Sequence, residues 1–414
     1  MQSLRELYKI GRGPSSSHTM GPERAVKRIK SEFPEADSFK VTLFGSLALT
    51  GKGHGTDRII KETFLPIPCE IIFDKTAPCD YHPNTMDVFA YKGGTLLGKK
   101  RVYSIGGGSI LFDGEQNEQS TASGESEVYP HNSYTEIAEY CSSKNIRIWQ
   151  YVKEFEGEEI FHYLSDVWEC MKNSIRQGLT TKGVLPGGLN TQRRAQILYN
   201  QRHIDESAQT QENRLVCSYA FAVSEQNASG GKIVTAPTCG SCGVLPSVLM
   251  YYQEKKGFSD DKILQALATG GIIGNLIKKN ASISGAECGC QAEIGSACSM
   301  ASAALAELFE MGLGQIEYAS EVAMEHHLGL TCDPIGGLVQ IPCIERNAVA
   351  AMRAINALSL ANFLTDSRKI SFDMVVKVMY ETGKNLLSDY RETSSGGLAK
   401  HYTNHEATGE NDDT

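Results

Sequence analysis

Hydrophobic positions recur along this chain with two different periods. In the first third, FKVTLFGSLAL (39–49) and FLPIPCEIIF (64–73) hold β-branched and aromatic residues in runs of strand length. The segment 86–112, MDVFAYKGGTLLGKKRVYSIGGGSILF, reads as a hairpin or meander turning at Gly93-Gly94. One helix, GPERAVKRIKSEF, precedes the first clear strand, with Pro22 suited to its first turn. A polar stretch, DGEQNEQSTASGESEVYPHNS (113–133), follows and predicts a loop with a domain boundary after it.

From about 134 the period becomes helical: SYTEIAEYCSSKN, RIWQYVKEFEG, IFHYLSDVWECMKNSIRQGL. Beyond 210 the helices turn rich in alanine and are joined by glycine-rich loops: RLVCSYAFAVSEQNAS, CSMASAALAELFEMGL, YASEVAMEHHLGL, IERNAVAAMRAINALSLANFL. The expected class is α+β: an α/β domain over 1–130, a linker with helices over 131–165, a larger all-helical domain over 166–400, and a flexible tail over 401–414.

With 414 residues, 41% of them hydrophobic, the chain can fill the cores of two domains. A net charge of −9 without a basic patch argues against a nucleic-acid partner. The N-terminus MQSLRELYKIGRG has no apolar core of the secretory kind, and no apolar window approaches the ~20 residues of a membrane span, so a cytoplasmic protein is expected.

In that compartment the twelve cysteines are not expected to form disulfides, and eight of them lie between Cys217 and Cys343. Any one is most simply a small buried hydrophobe. Their placement nevertheless suggests chemistry. Cys332 and Cys343 flank a Gly-rich loop in GLTCDPIGGLVQIPCIERNA, and Cys288, Cys290 or Cys298 offers a third thiol upstream. Thiols at helix ends among glycines suit a soft metal or an iron–sulfur cluster. Cys239 and Cys242 form a C-x2-C pair without a second half, compatible with half a zinc site, a redox dithiol or a simple loop. In GRGPSSSHTMGPERA, the hydroxyls of Ser15, Ser16, Ser17 and Thr19 and the imidazole of His18 precede a helix start, a natural cradle for a carboxylate or phosphate. His54 sits between glycines with Lys52 and Asp57 nearby, where it can act as acid, base or orienting group. Ordinary turn and cap chemistry accounts for either loop equally well. SIGGGSI lacks the spacing of a nucleotide loop, and Lys232 is discounted as a pyridoxal-phosphate lysine.

These motifs occur in order with GSLALTGKGHGTD, LPGGLNTQRRA, ASGGKIVTAPT, SISGAECGCQAEIGSACSMA and YRETSSGGLA. Over about residues 1–400 the chain resembles the iron–sulfur-dependent L-serine dehydratases, with β and α regions fused. The resemblance implies a [4Fe-4S] cluster on Cys290, Cys332 and Cys343, with one iron open to act as Lewis acid on the serine hydroxyl. It implies pyruvate and ammonia as products, His18 and His54 as acid/base or orienting groups, and substrate contacts from Ser15, Ser16, Ser17, Thr19, Lys52, Asp57, Thr238, Cys239 and Gly240. A homodimer acting on a small amino acid, in amino-acid degradation and gluconeogenesis, also follows from it.

Two departures stand out. The chain reads PTCGSC where the family usually reads PTNGA, so Cys239 replaces an asparagine expected to touch substrate; a thiol there approaches either substrate or cluster. No cysteine follows Tyr402, so the C-terminal thiol with which some members cap the open iron is missing. The alternatives are a regulatory protein binding an amino acid through its α/β region and keeping the cluster as a sensor, a dehydratase of a related β-hydroxy amino acid, or a zinc or pyridoxal-phosphate lyase.

Overall fold

A computed structural model describes residues 1–79, 81–114, 127–202, 204–364 and 368–408, with side chains to Tyr402. Most of the polar segment expected as a boundary, and residues 409–414 of the expected tail, lie outside them.

The N-terminal region is a five-stranded sheet with helices on it. After β1 (Ile10–Arg12) come β2 (Ser38–Phe44), β3 (Cys69–Asp74), β4 (Thr85–Lys92), β5 (Thr95–Gly106) and β6 (Ser109–Phe112). The order is β3-β2-β4-β5-β6, with β2 and β3 parallel and the other pairs antiparallel. Along β2 the period of two puts Phe39, Val41 and Leu43 inside, against Val26 and Ile29 of the helix Gly21–Glu32 and Ile60 and Phe64 of the helix Thr56–Phe64. The meander turns at Gly93-Gly94, both with positive φ.

Two expected strands are shorter than the hydrophobic runs suggest. FKVTLFGSLAL leaves the sheet at Phe44, and Gly45–Thr50 is helical. Gly45 has φ +52, and a Cβ there would lie 2.4 Å from the Pro83 carbonyl, so the chain turns where only glycine fits. FLPIPCEIIF pairs only from Cys69, since Pro66 and Pro68 have no amide to offer a ladder.

The second core is helical and larger, and it begins in the chain's first residues. Met1, Leu4, Leu7 and Tyr8 are buried in it, and the Tyr8 hydroxyl donates to the Leu267 carbonyl at 2.9 Å. They pack on the helix Asp260–Asn280, where a Cβ at Gly271 or Gly274 would come within 2.8 Å of Leu4 or Leu7. Glycine inside a helix costs about 1 kcal/mol relative to alanine; here it admits close packing. The helices Tyr134–Lys144, Ile148–Glu156 and Glu159–Thr180, which fill the segment expected as a linker, contribute Ile137, Tyr151, Leu164 and Trp168 to the same core.

The helical part is not purely helical. β7 (Lys232–Val234) pairs antiparallel with β1, tying the two regions together just before the Ser15–Thr19 loop and the Thr235–Gly240 loop. The C-terminal segment also departs from expectation: instead of fraying from 401, the helix Gly397–Thr408 continues through it. No described helix is long and apolar enough to cross a membrane.

Candidate active site

Three loops at the ends of Ala-rich helices bring Cys290, Cys332 and Cys343 to one buried cavity, which Ser15, His54, Gly240, Glu293 and Glu392 also line. Cys343 opens the helix Cys343–Leu364 directly after Pro342. Cys290 follows Gly289, whose φ of +73 turns the chain where a Cβ would lie 2.9 Å from the Leu330 carbonyl. Cys332 is clamped by backbone bonds to the C-terminal segment: its amide donates to Tyr390 and its carbonyl accepts from the Glu392 amide, both at 2.8 Å. The competing thiols point elsewhere. Cys298 donates to the Ala350 carbonyl at 3.2 Å, and Cys288 packs against Gly383. The cavity holds about 20 Å³, room for one water, so a bound group of several atoms has to part the loops that carry the thiols.

The electrostatics of this cavity are set by burial. A hydrogen bond from Cys332, with help from the Arg346 guanidinium, pulls the Cys290 thiol down to about 6 against its desolvation, while Cys332 rises in return. Burial pushes Cys343 up as well. Arg346 spans the site: Nη1 donates to the Thr331 carbonyl at 2.6 Å and Nη2 to Asp333 Oδ1 at 3.1 Å. Glu293 is held mainly by burial at about 8, and its Oε2 is 3.9 Å from the Cys332 sulfur.

Opposite the thiols lies a histidine pair from the α/β region, with ring centroids 4.4 Å apart. Both rings are fully buried, and burial holds both below the usual histidine range, His54 at about 4. The Ser46 hydroxyl donates to the Glu392 carbonyl at 2.7 Å, so it accepts from His18 Nε2 at 3.1 Å; that ring nitrogen carries the proton, and Nδ1 is left bare. Ser17 lies 2.9 Å from this Nδ1. Thr19 donates to the His54 carbonyl at 2.9 Å and Thr56 to the His18 carbonyl at 2.6 Å, locking the two loops together. Glu392 closes the group, its Oε1 3.5 Å from His18 Nδ1 and 3.9 Å from His54 Nε2. Its φ of +57 is a left-handed conformation that a side chain adopts at a cost of about 1–2 kcal/mol, held by the bonds to Cys332.

Most of the residues expected at a site from the sequence converge here: Ser15, Ser17, His18, Thr19, His54, Gly240 and the three cysteines. Thr238 supports it from behind, donating to Glu293 Oε1 at 2.7 Å. Ser16 is buried in the turn Ser16–Met20. Lys52 and Asp57 are not in the cavity; they line an adjoining groove of about 420 Å³ that shares Pro14 and His54 with it. Cys239 is buried with its sulfur 3.3 Å from Met20 Sδ and is not part of the cavity lining. Glu293, Glu392, Ser46 and Arg346 were assigned no role from the sequence. Their motifs were legible, and an acid amid small apolar residues in CQAEIGSA was the available signal.

An N-terminal α/β region and a helical region thus meet at one cavity lined by three thiols and His54. The chain belongs to the serine dehydratase family: the family model "Serine dehydratase beta chain" matches residues 3–64, and "Serine dehydratase alpha chain" matches residues 108–399. It is 41% identical to L-serine dehydratase 1 of Escherichia coli (strain K12) over 96% of this chain and 99% of that protein. It is 38% identical to the L-serine dehydratase of Haemophilus influenzae, and 37% identical to that of Streptomyces coelicolor, again over 96% of this chain.

Proposed function

We propose that this protein dehydrates and deaminates L-serine to pyruvate and ammonia, with Cys290, Cys332 and Cys343 holding a [4Fe-4S] cluster. The observation that carries this is the convergence of three thiols, and among the described residues only those three, on one cavity that His54 also lines, with the His18 ring packed against it. The donor set fits such a group: soft sulfur ligands, a guanidinium beside them to offset thiolate charge, and at Gly285 a cradle that a side chain would fill, since a Cβ there would lie 3.1 Å from the Cys332 sulfur and 2.6 Å from Glu293 Oε2.

When bound, a cluster with three protein ligands supplies a Lewis-acidic iron for the substrate hydroxyl, a poor leaving group. The chain's own residues do the rest. Ser15 and the amides opening the Ser16–Met20 turn are placed to receive the carboxylate. His18 and His54, both neutral because they are buried, are the residues that take up the α-proton or orient the substrate. Glu293, held up to about 8 mainly by burial, is positioned to hold a proton close to a departing hydroxide. Enclosure excludes bulk water. The experiment is oxygen-free purification with iron and sulfide analysis, then a pyruvate assay with serine, threonine and cysteine. Iron and sulfide near four each per chain, with pyruvate from serine, is expected; zinc or pyridoxal phosphate in their place overturns the reading.

A further inference from the structure

We propose that His18 Nδ1, His54 Nε2 and Glu392 Oε1 form a three-acceptor cradle for the α-ammonium of the amino-acid substrate. The inference rests on the function proposed above and names how that site recognises its substrate.

Three observations lead to it. First, His18, His54 and Glu392, all buried, each bring one ring nitrogen or carboxylate oxygen within 4.8 Å of the others. A tetrahedral ammonium at hydrogen-bond distances of about 2.9 Å spreads its acceptors by about 4.7 Å. The distances of 3.5 and 3.9 Å to Glu392 Oε1 are shorter than that spacing, so an ammonium seated there has to spread the three groups or bond them at bent angles.

Second, the acceptors face each other, served only in part by protein donors, the Ala286 amide being one at the Glu392 carboxyl. Ser46 fixes the proton of His18 on Nε2, which turns the Nδ1 lone pair inward. His54 Nδ1 is buried without a hydrogen-bond partner, which leaves the tautomer with its lone pair on Nε2 unopposed by any internal acceptor bond at Nδ1. Ser17 is the competing donor at His18 Nδ1, and Ser15 Oγ, 3.3 Å from Ser17 Oγ, is a second acceptor to which it can turn. A buried acceptor left without a donor costs about 1–3 kcal/mol, and a cationic donor group supplies a charge-assisted bond to each of the three atoms.

Third, the cradle is built from three distant parts of the chain. The strained Glu392 backbone is anchored by its amide's bond to the Cys332 loop and by Ser46 at its carbonyl, and it aims the carboxyl between the two rings. The cradle therefore forms only when the α/β region, the thiol loops and the C-terminal segment are assembled. An amino acid held there by its nitrogen presents Cα to the histidines and its β-hydroxyl toward the thiols.

The test is calorimetric binding of L-alanine and propionate, which differ only in the ammonium, to the oxygen-free holoenzyme. The wild type is expected to bind L-alanine at least ten times more tightly than propionate. Glu392→Gln is expected to lose about tenfold for L-alanine and less than twofold for propionate, with iron and sulfide content unchanged. His54→Gln supplies the same comparison if Glu392→Gln does not fold. Equal binding of the two ligands by the wild type, or equal losses in a variant, overturns the cradle. So does a stoichiometric metal other than iron that disappears in Glu392→Gln, because the three acceptors then serve a cation. Binding does not depend on turnover: a wild type that selects L-alanine yet forms no pyruvate from serine refutes the proposed function and leaves the cradle standing, and pyruvate formation without ammonium selectivity does the reverse.

Discussion

Arg346→Gln removes a guanidinium that ties the Cys343 helix to the Cys332 loop. In the folded chain Arg346 donates to the Thr331 carbonyl at 2.6 Å and to Asp333 Oδ1 at 3.1 Å, and the side chains are 16% and 4% exposed. Breaking a buried ion pair by removing one partner costs about 3–5 kcal/mol. Asp333 would keep the Thr331 hydroxyl at 3.2 Å and the Leu398 amide at 2.8 Å, which places the loss at the lower end, about 3 kcal/mol. The assay is urea unfolding of the metal-free chain, followed by fluorescence of Trp149 and Trp168, both in the helical core region. With a denaturant slope of about 3 kcal/mol/M, the midpoint should fall by about 1 M. Arg346→Lys keeps the charge but not the two-pronged geometry and should recover about half of the shift. A midpoint for Arg346→Gln within about 0.2 M of wild type would show that the guanidinium does not hold these loops.

Gly285→Ala should leave helix content intact while cluster iron falls by more than half, because its Cβ would press on Glu293 and on the Cys332 sulfur; circular dichroism and iron analysis check it. Cys239→Ala should leave the KM for serine within about threefold, since that sulfur faces Met20; a tenfold rise would place Cys239 at the substrate. Burial above all pushes the Lys9 amine down to about 7 from 10.5, so between those values the unfolded chain binds the extra proton and stability rises with pH. The rise approaches about 1.4 kcal/mol per pH unit, and Lys9→Met should flatten it in unfolding curves taken from pH 7 to 10.

Periodicity alone made the two-part fold legible, because β2 alternates strictly and the helices Ile148–Glu156 and Glu159–Thr180 keep a helical period. It misjudged the ends of elements where a single residue decides: Gly45 stops a run that is hydrophobic through Leu49, and Pro66 and Pro68 delay β3. It also assigned the first nine residues to the α/β region, although Leu4 and Leu7 pack in the helical core through glycines more than 260 positions away. At the site, the residue types and glycine loops suggested thiol and histidine chemistry, but spacing could not choose among Cys288, Cys290 and Cys298. Three-dimensional placement separates them, since only Cys290 reaches the cavity of Cys332 and Cys343. Glu392 was illegible as a site residue because its position depends on a strained backbone and on pairing with a loop 60 residues earlier.

The central claim is that three particular thiols hold the group that activates the substrate. Iron and acid-labile sulfide per chain, measured without oxygen across single Cys→Ser variants, test it most directly. Cys290→Ser, Cys332→Ser and Cys343→Ser should each lose sulfide together with pyruvate formation from serine, while Cys298→Ser, whose thiol turns to Ala350, should keep both. A sulfide-free chain that still forms pyruvate at the wild-type rate would contradict the account.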